Sequence, residues 1–137
     1  CSMRSHNKSD EAAMQALLAA QDEELPHVVA ELERGHKQSC WIWYVCPTSR
    51  PGMCDPRGVY VTPSTAKELF ADKERSAQWQ KALELICDQV DNDGMKAIPR
   101  IDQGRIHYFI KEWKEIDHGS DWMTKVLKRL DEFDWPP

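Results

Sequence analysis

Four side chains with binding chemistry alternate along one short stretch of the chain: Lys37, Ser39, Trp41 and Trp43. Side chains two residues apart on a β-strand point to the same face, so a strand here would align all four. Lysine offers a charged hydrogen-bond donor, and the indole rings offer faces for stacking. This alignment predicts a site for a small anionic ligand or for a protein partner.

The charge around this stretch supports that interpretation. Residues 34–57 contain four basic side chains and a single acidic one, whereas the whole chain has 18 Lys and Arg against 23 Asp and Glu. The Pro- and Gly-rich residues 47–56 predict a loop, and loops that a scaffold holds in place often carry function. We therefore predict a set of ligand-binding residues on this basic segment: Lys37, Ser39, Trp41, Trp43, Arg50 and Arg57.

The same pattern has a purely structural alternative. Large aromatic side chains bury the area that a core needs, so Trp41 and Trp43 would then be core residues flanked by solvated charges. Trp41→Ala separates the two interpretations. The substitution should cost about 3–5 kcal/mol if the ring lies in the core, and far less if the ring contacts only a ligand.

A second function for the same residues is catalysis. Lys37 and Arg57 would stabilise charge on a small anionic or nucleotide-like substrate, while Trp41 or Trp43 stacks against it. A thiol nucleophile would need a base beside it, and Cys40 shares a face with a histidine four residues earlier only if that stretch is helical. The sequence contains no phosphate-binding loop and no nucleophile elbow. Whether the chain is an enzyme therefore stays open.

Metal and cofactor sites are not indicated. The cysteines form no C-x-x-C pair and the histidines no H-x-x-x-H pair, so we expect no metal, no cofactor and reduced thiols. The residues concerned are Cys1, Cys40, Cys46, Cys54, Cys87, His6, His27, His36, His107 and His118.

Overall charge and hydropathy limit the partners. A net charge of −5 argues against general binding to nucleic acid or to an anionic membrane, since both need surplus Lys and Arg. No stretch approaches the roughly 20 apolar residues that cross a bilayer, and the N-terminal residues lack the apolar run of a signal peptide. We expect a soluble cytoplasmic protein without nucleic-acid or membrane partners.

The 137 residues predict one compact all-α domain of about six helices. Residues 1–8 look like a disordered or expression-derived terminus, and residues 9–137 form the domain. Apolar residues recur every three to four positions within six segments. The predicted segments are 10–20, 25–34 with Pro26 in its first turn, 62–70 after Thr62, 76–93 capped by Ser76 and stopped by Gly94, 102–116 capped by Asp102, and 120–133 capped by Ser120.

Two β-prone pieces interrupt this helical pattern. Residues 40–46 are apolar throughout and rich in β-branched and aromatic side chains, which favours a strand without excluding a buried helical turn. Residues 58–61 form a short β-prone piece that could pair with it. The sequence thus leaves open a short β-ribbon within the all-α fold.

The chain also resembles a known family. An Ala20-Gln21-Asp22 element precedes a helix that ends in ELERGHKQSCWIWYVCP, and this order is similar to the signature of the domain of unknown function 1810. The family pattern has His, Phe and Gln where this chain has Cys40, Cys46 and Thr48. The residues that fall on the pattern after the AQD element are Glu31, Leu32, Gly35, Lys37, Ser39, Trp41, Trp43 and Pro47.

This resemblance implies an all-helical intracellular domain and implies no particular reaction. Members of the family are sometimes labelled calpastatin. Calpain inhibitors are long disordered chains, whereas this sequence has six Trp and clear helical periodicity, so we reject that label. Two functions therefore remain: a binding domain for a partner or a small anionic ligand, and an enzyme acting on a small anionic substrate.

Overall fold

A computed structural model describes residues 8–34, 42–49 and 59–136 of the chain. Within these residues every regular element is helical and no strand occurs, which confirms the all-α fold. The five α-helices are α1 Lys8–Glu33, α2 Ile42–Val45, α3 Lys73–Asp93, α4 Arg100–Glu115 and α5 Asp121–Leu130; short 3₁₀ helices cover Ala66–Phe70 and Met95–Ala97.

Helix α1 joins two predicted helices into one. We expected a break near Gln21-Asp22 and a second helix starting around Pro26, but the structure has a single 26-residue helix with Pro26 inside it. The reason is that Gln21 lies on the buried stripe rather than at a polar end. That stripe continues without interruption through Met14, Leu17, Gln21, Leu25, Val28 and Leu32.

The start of α3 differs from the prediction. The helix begins at Lys73, and the side chain of Asp72 accepts a hydrogen bond from the Arg75 backbone N–H as its N-cap. Ser76, the predicted cap, is buried and accepts a hydrogen bond from Trp122. The predicted stop is confirmed, because Gly94 ends the helix at a φ of 82° that favours glycine.

The start of α4 also differs, whereas that of α5 is confirmed. Helix α4 begins at Arg100 after Pro99, so Asp102 is a buried residue of the first turn and not the cap. Ser120 caps α5 as predicted, since its side chain accepts from the Met123 backbone N–H. The predicted helix after Thr62 is a turn followed by the 3₁₀ helix Ala66–Phe70.

The short β-ribbon that the sequence left open is not present among the described residues. Residues 42–45 form the helical turn α2, and residues 59–62 are irregular. One backbone hydrogen bond of 3.1 Å, from Val61 N–H to the Thr48 carbonyl, joins the two pieces. At residues 42–46 the β-prone composition therefore reflects burial rather than strand pairing.

Tryptophans occupy the centre of the core. Trp79 of α3 and Trp113 of α4 are fully buried, with ring centroids 5.6 Å apart and nearly perpendicular planes. Helices α1 and α3 pack along each other, and α5 packs against both α3 and α4. None of the helices that the structure describes is long and apolar enough to cross a membrane.

Candidate functional site

Residues 42–49, which we call the core segment, run through the interior of the molecule. Only Trp43 and Ser49 within this segment are half-buried; the other six residues are buried. Helix α2 is a single turn that ends at Val45, so the carbonyls from Tyr44 onward need hydrogen-bond donors from outside that helix. Buried carbonyls without partners would be costly, and this segment needs donors from elsewhere in the fold.

Five consecutive carbonyls of the core segment accept hydrogen bonds, four of them from side chains on three helices. Two donors are the central indoles, and one is the Gln21 amide of the AQD element. The bonds are Gln21 Nε2 to Tyr44 O at 2.8 Å, Trp79 Nε1 to Val45 O at 2.7 Å, Arg105 Nε to Cys46 O at 3.1 Å, Trp113 Nε1 to Pro47 O at 2.8 Å and Val61 N to Thr48 O at 3.1 Å. Helices α1, α3 and α4 together fix the path of this irregular segment.

A polar cluster lies at the end of the core segment. The Ser49 backbone N–H donates to Glu112 Oε1 at 2.7 Å, and the Ser49 hydroxyl donates to Glu112 Oε2. The Tyr108 hydroxyl lies 3.3 Å from Ser49 Oγ and 3.4 Å from Glu112 Oε2. Tyr108 and Glu112 are one helical turn apart on α4, so their side chains share a face. The cluster therefore holds Ser49 against α4.

An open cavity of about 410 Å³ adjoins this cluster. Its size falls within the range of small-molecule sites. The Tyr108 hydroxyl and the Glu112 carboxylate form part of its wall, and Lys111 adds a cation. The full lining is Pro63, Tyr108, Lys111, Glu112, Glu115 and Ile116.

Of the six predicted ligand-binding residues, the structure describes Trp43. Its ring is half-buried and meets Tyr44 edge to face, with centroids 4.9 Å apart. Because Trp43 lies on a helical turn, the strand on which we based the alignment of the four side chains is wrong at this position. The other five residues, Lys37, Ser39, Trp41, Arg50 and Arg57, lie outside the described residues.

Sequence reasoning missed Ser49, Tyr108 and Glu112. The residue pair on α4 has the i, i+4 spacing that places two side chains on one face, which was the available signal. Nothing local links Ser49 to Glu112, because 63 positions separate them. Likewise, Gln21 falls on the family pattern, but its contact with residue 44 depends on tertiary structure.

The two thiols that the structure describes, Cys46 and Cys87, are buried. Burial raises the pKa of Cys46, and burial also raises the pKa of Cys87 to about 12. A raised pKa leaves little thiolate at neutral pH, which disfavours both thiols as nucleophiles. Among the described residues, no group of three or more His, Cys, Asp or Glu is arranged to hold a metal ion.

Comparison with known proteins places the chain in a family. No curated protein and no solved structure matches it. A family model described as "Protein of unknown function (DUF1810)" matches residues 11–132, which include all five α-helices except the first three residues of α1. Nothing in these comparisons supports the calpastatin label. The chain belongs to the DUF1810 family of proteins of unknown function.

Proposed function

We propose that this chain is a cytoplasmic ligand-binding domain, in which the basic residues around the core segment hold a small anionic ligand. The proposed contacts are Lys37, Ser39, Trp41, Trp43, Arg50 and Arg57. The observation that carries the proposal is the hydrogen bonding of five consecutive carbonyls from Tyr44 to Thr48.

This hydrogen bonding supports binding because it keeps the middle of the basic segment rigid. Side chains of three helices hold residues 44–47 and the Val61 backbone N–H holds Thr48, so Trp43 at one end and Ser49 at the other have defined positions. Binding of a ligand then costs little conformational entropy, because this part of the protein is already ordered. The proposed basic contacts lie on both sides of this rigid piece in sequence, with Lys37 before it and Arg50 and Arg57 after it.

The charge balance supports an anionic ligand. Residues 34–57 carry four basic side chains and one acidic side chain in a protein of net charge −5. The Glu112 carboxylate beside Ser49 accepts two hydrogen bonds from that residue, which disperse its negative charge. A half-buried indole such as Trp43 adds a surface for stacking.

The proposal is tested by thermal unfolding in the presence of nucleotides and sugar phosphates. At saturating ligand we expect at least one compound to raise the free energy of unfolding by more than about 0.5 kcal/mol. Lys37→Ala and Arg57→Ala should each weaken that ligand about tenfold, because each removes a charged donor. Lys125→Ala, an exposed lysine on α5, is the matched control and should bind as the wild type does.

Two outcomes would contradict the proposal. One is that no compound in the panel stabilises the protein. The other is that Lys37→Ala and Lys125→Ala bind the stabilising compound equally well. Pull-down by the wild type of one protein that Lys37→Ala does not retain, with no response to the small anions, would assign the same residues to a protein partner.

One observation favours catalysis as the second candidate function at this site. The Ser49 hydroxyl donates to the Glu112 carboxylate, and a carboxylate in that position accepts a proton from a hydroxyl that reacts. Turnover of nucleotides or sugar phosphates, followed by phosphorus NMR, tests this candidate. Turnover that Ser49→Ala and Glu112→Gln both abolish supports an enzyme. Absence of turnover by the wild type, or equal turnover by the variants, contradicts it.

A further inference from the structure

A second cavity, of about 380 Å³, lies between the starts of α3 and α5, and three of its nine lining residues carry aromatic rings. We call it the aromatic cleft. It is separate from the core segment, since no residue of 42–49 lines it. Its lining residues are Phe70, Lys73, Ser76, Ala77, Gln80, His118, Gly119, Ser120 and Trp122.

Three half-buried rings form the walls of the aromatic cleft. The Phe70 ring centroid lies 5.6 Å from that of Trp122, at an interplanar angle of 63°, and 5.7 Å from that of His118. Behind them, Phe70 packs on the fully buried Trp79 and Trp113. The partly open rings therefore rest on fully buried indoles of the core, and their remaining surface suits contact with a planar ring.

Two side chains in the wall of the aromatic cleft accept hydrogen bonds and keep an N–H or O–H group as a donor: His118 and Ser76. The Ser120 backbone N–H donates to His118 Nδ1 at 3.0 Å, so the neutral imidazole carries its proton on Nε2. Trp122 Nε1 donates to Ser76 Oγ at 3.0 Å, which fixes the indole and leaves the serine proton as a donor. Lys73 contributes an ammonium group at the exposed rim.

The charge of the lining residues indicates that a ligand here would be anionic. No aspartate or glutamate is among the residues that line the aromatic cleft, although the protein is acidic overall. Lys73 is a positive charge at this cleft, and burial lowers the pKa of His118, which favours the neutral imidazole. A ligand with an anionic group near Lys73 would therefore meet hydrogen-bond donors and no lining carboxylate.

We propose that the aromatic cleft binds small aromatic acids, that is, planar rings that carry a carboxylate or phosphate. The ring lies against Phe70, Trp122 and His118, and the anionic group lies toward Lys73. This site is independent of the ligand site proposed at the core segment, because the two have no residue in common.

Calorimetric titration with indole-3-acetate and with the uncharged indole-3-acetamide tests the proposal. The two probes have the same ring, so a difference between them reports on the charge. We expect the acid to bind at least about fivefold more tightly than the amide, because Lys73 is a partner for its carboxylate. Lys73→Met should remove most of this difference and leave the binding of the amide unchanged.

Substitutions on the exposed surface of α3 test the location. Ala77→Trp fills the aromatic cleft from an exposed helix position and should abolish binding of both probes. Gln78→Trp, the next residue, is exposed and does not line the cleft, so it should bind as the wild type does. His118→Asn keeps a side-chain acceptor for the Ser120 N–H but removes a ring, and it should weaken both probes severalfold.

Three results would overturn the proposal. The first is that neither probe binds the wild type at millimolar concentration. The second is that the acid binds no more tightly than the amide. The third is that Ala77→Trp and Gln78→Trp bind the probes equally well. Binding that Ala77→Trp retains and Lys37→Ala loses would move the probes to the core-segment site. That outcome would support the function proposed above and reject the aromatic cleft.

Discussion

Gln21 is a polar side chain that belongs to the core of this protein. It is fully buried on α1, and its amide group donates to the Tyr44 carbonyl. The donor function is what this position requires, because a carbonyl inside the protein has lost its water. The glutamine of the AQD element therefore has a structural role, since it bonds a carbonyl of the core segment.

Gln21→Glu tests the need for a donor. An ionised carboxylate cannot donate to a carbonyl, so at pH 7 the variant should be less stable than the wild type by about 3 kcal/mol. The neutral acid can donate, so burial and this bond raise the pKa of the introduced group in the folded state. The stability deficit should therefore be small below about pH 4.3 and grow as the pH rises. Urea unfolding between pH 4 and pH 8 measures it.

Gln15→Glu is the control for that experiment, because Gln15 is an exposed residue of the same helix. Its stability should stay within about 0.5 kcal/mol of the wild type at every pH. If Gln21→Glu follows the control across the pH range, the Gln21 amide is not a required donor.

The two described cysteines give a second prediction for single residues. In a protein with Cys1→Ser, Cys40→Ser and Cys54→Ser, only Cys46 and Cys87 remain, and burial raises the pKa of both thiols. With a thiol reagent such as Ellman's at pH 8, we expect reaction of less than about 0.1 equivalent within minutes in native protein. Unfolding in guanidinium chloride should release both thiols. Rapid reaction of either thiol in the folded protein would contradict their burial.

At the level of elements, the hydrophobic period predicted most helices correctly and most of their starts incorrectly. Gly94 as a stop and Ser120 as a cap are local signals, and the structure confirms both. A serine or aspartate near a helix start can hydrogen-bond to tertiary partners instead of capping the helix. Ser76 serves the Trp122 indole, and Asp102 is buried in the first turn of α4, so neither caps a helix.

Helix α1 provides a prediction at this scale. Pro26 lies inside the helix, where it lacks an N–H and leaves the Asp22 carbonyl without its usual intrahelical donor. Pro26→Ala should therefore stabilise the protein, by about 1–3 kcal/mol in urea unfolding. Pro63→Ala is the control: Pro63 lies in a turn, so its loss should destabilise slightly through the entropy of the unfolded chain. A neutral or destabilising Pro26→Ala would favour two separate helices.

The whole molecule is organised around the core segment, and this feature was not predictable from local sequence. The side-chain bonds that hold it join residues 23 to 66 positions apart, so no short window of the sequence contains both partners. The candidate site shows the same limit, because Ser49 and Glu112 meet only through tertiary structure. The sequence singled out Trp41 and Trp43, whereas the indoles that bond the core segment are those of Trp79 and Trp113.

Cooperation between the two central indoles is the prediction for the whole molecule. Trp79 and Trp113 contact each other and hold the carbonyls of Val45 and Pro47. Trp79→Phe and Trp113→Phe should each cost about 2–4 kcal/mol from a lost buried hydrogen bond and a cavity. The double variant should cost less than the sum by at least about 0.5 kcal/mol, since both bonds hold one segment. Strict additivity in urea unfolding would contradict this account.

The most direct test of the central claim is a proton–nitrogen NMR titration of the six tryptophan indoles with nucleotides and sugar phosphates. The account predicts saturable shifts of the Trp41 and Trp43 indole signals, while those of Trp79 and Trp113 stay in place and resist exchange with deuterium. Unchanged Trp41 and Trp43 signals throughout the panel, or rapid exchange at Trp79 and Trp113, would contradict a rigid core segment that carries an anion site.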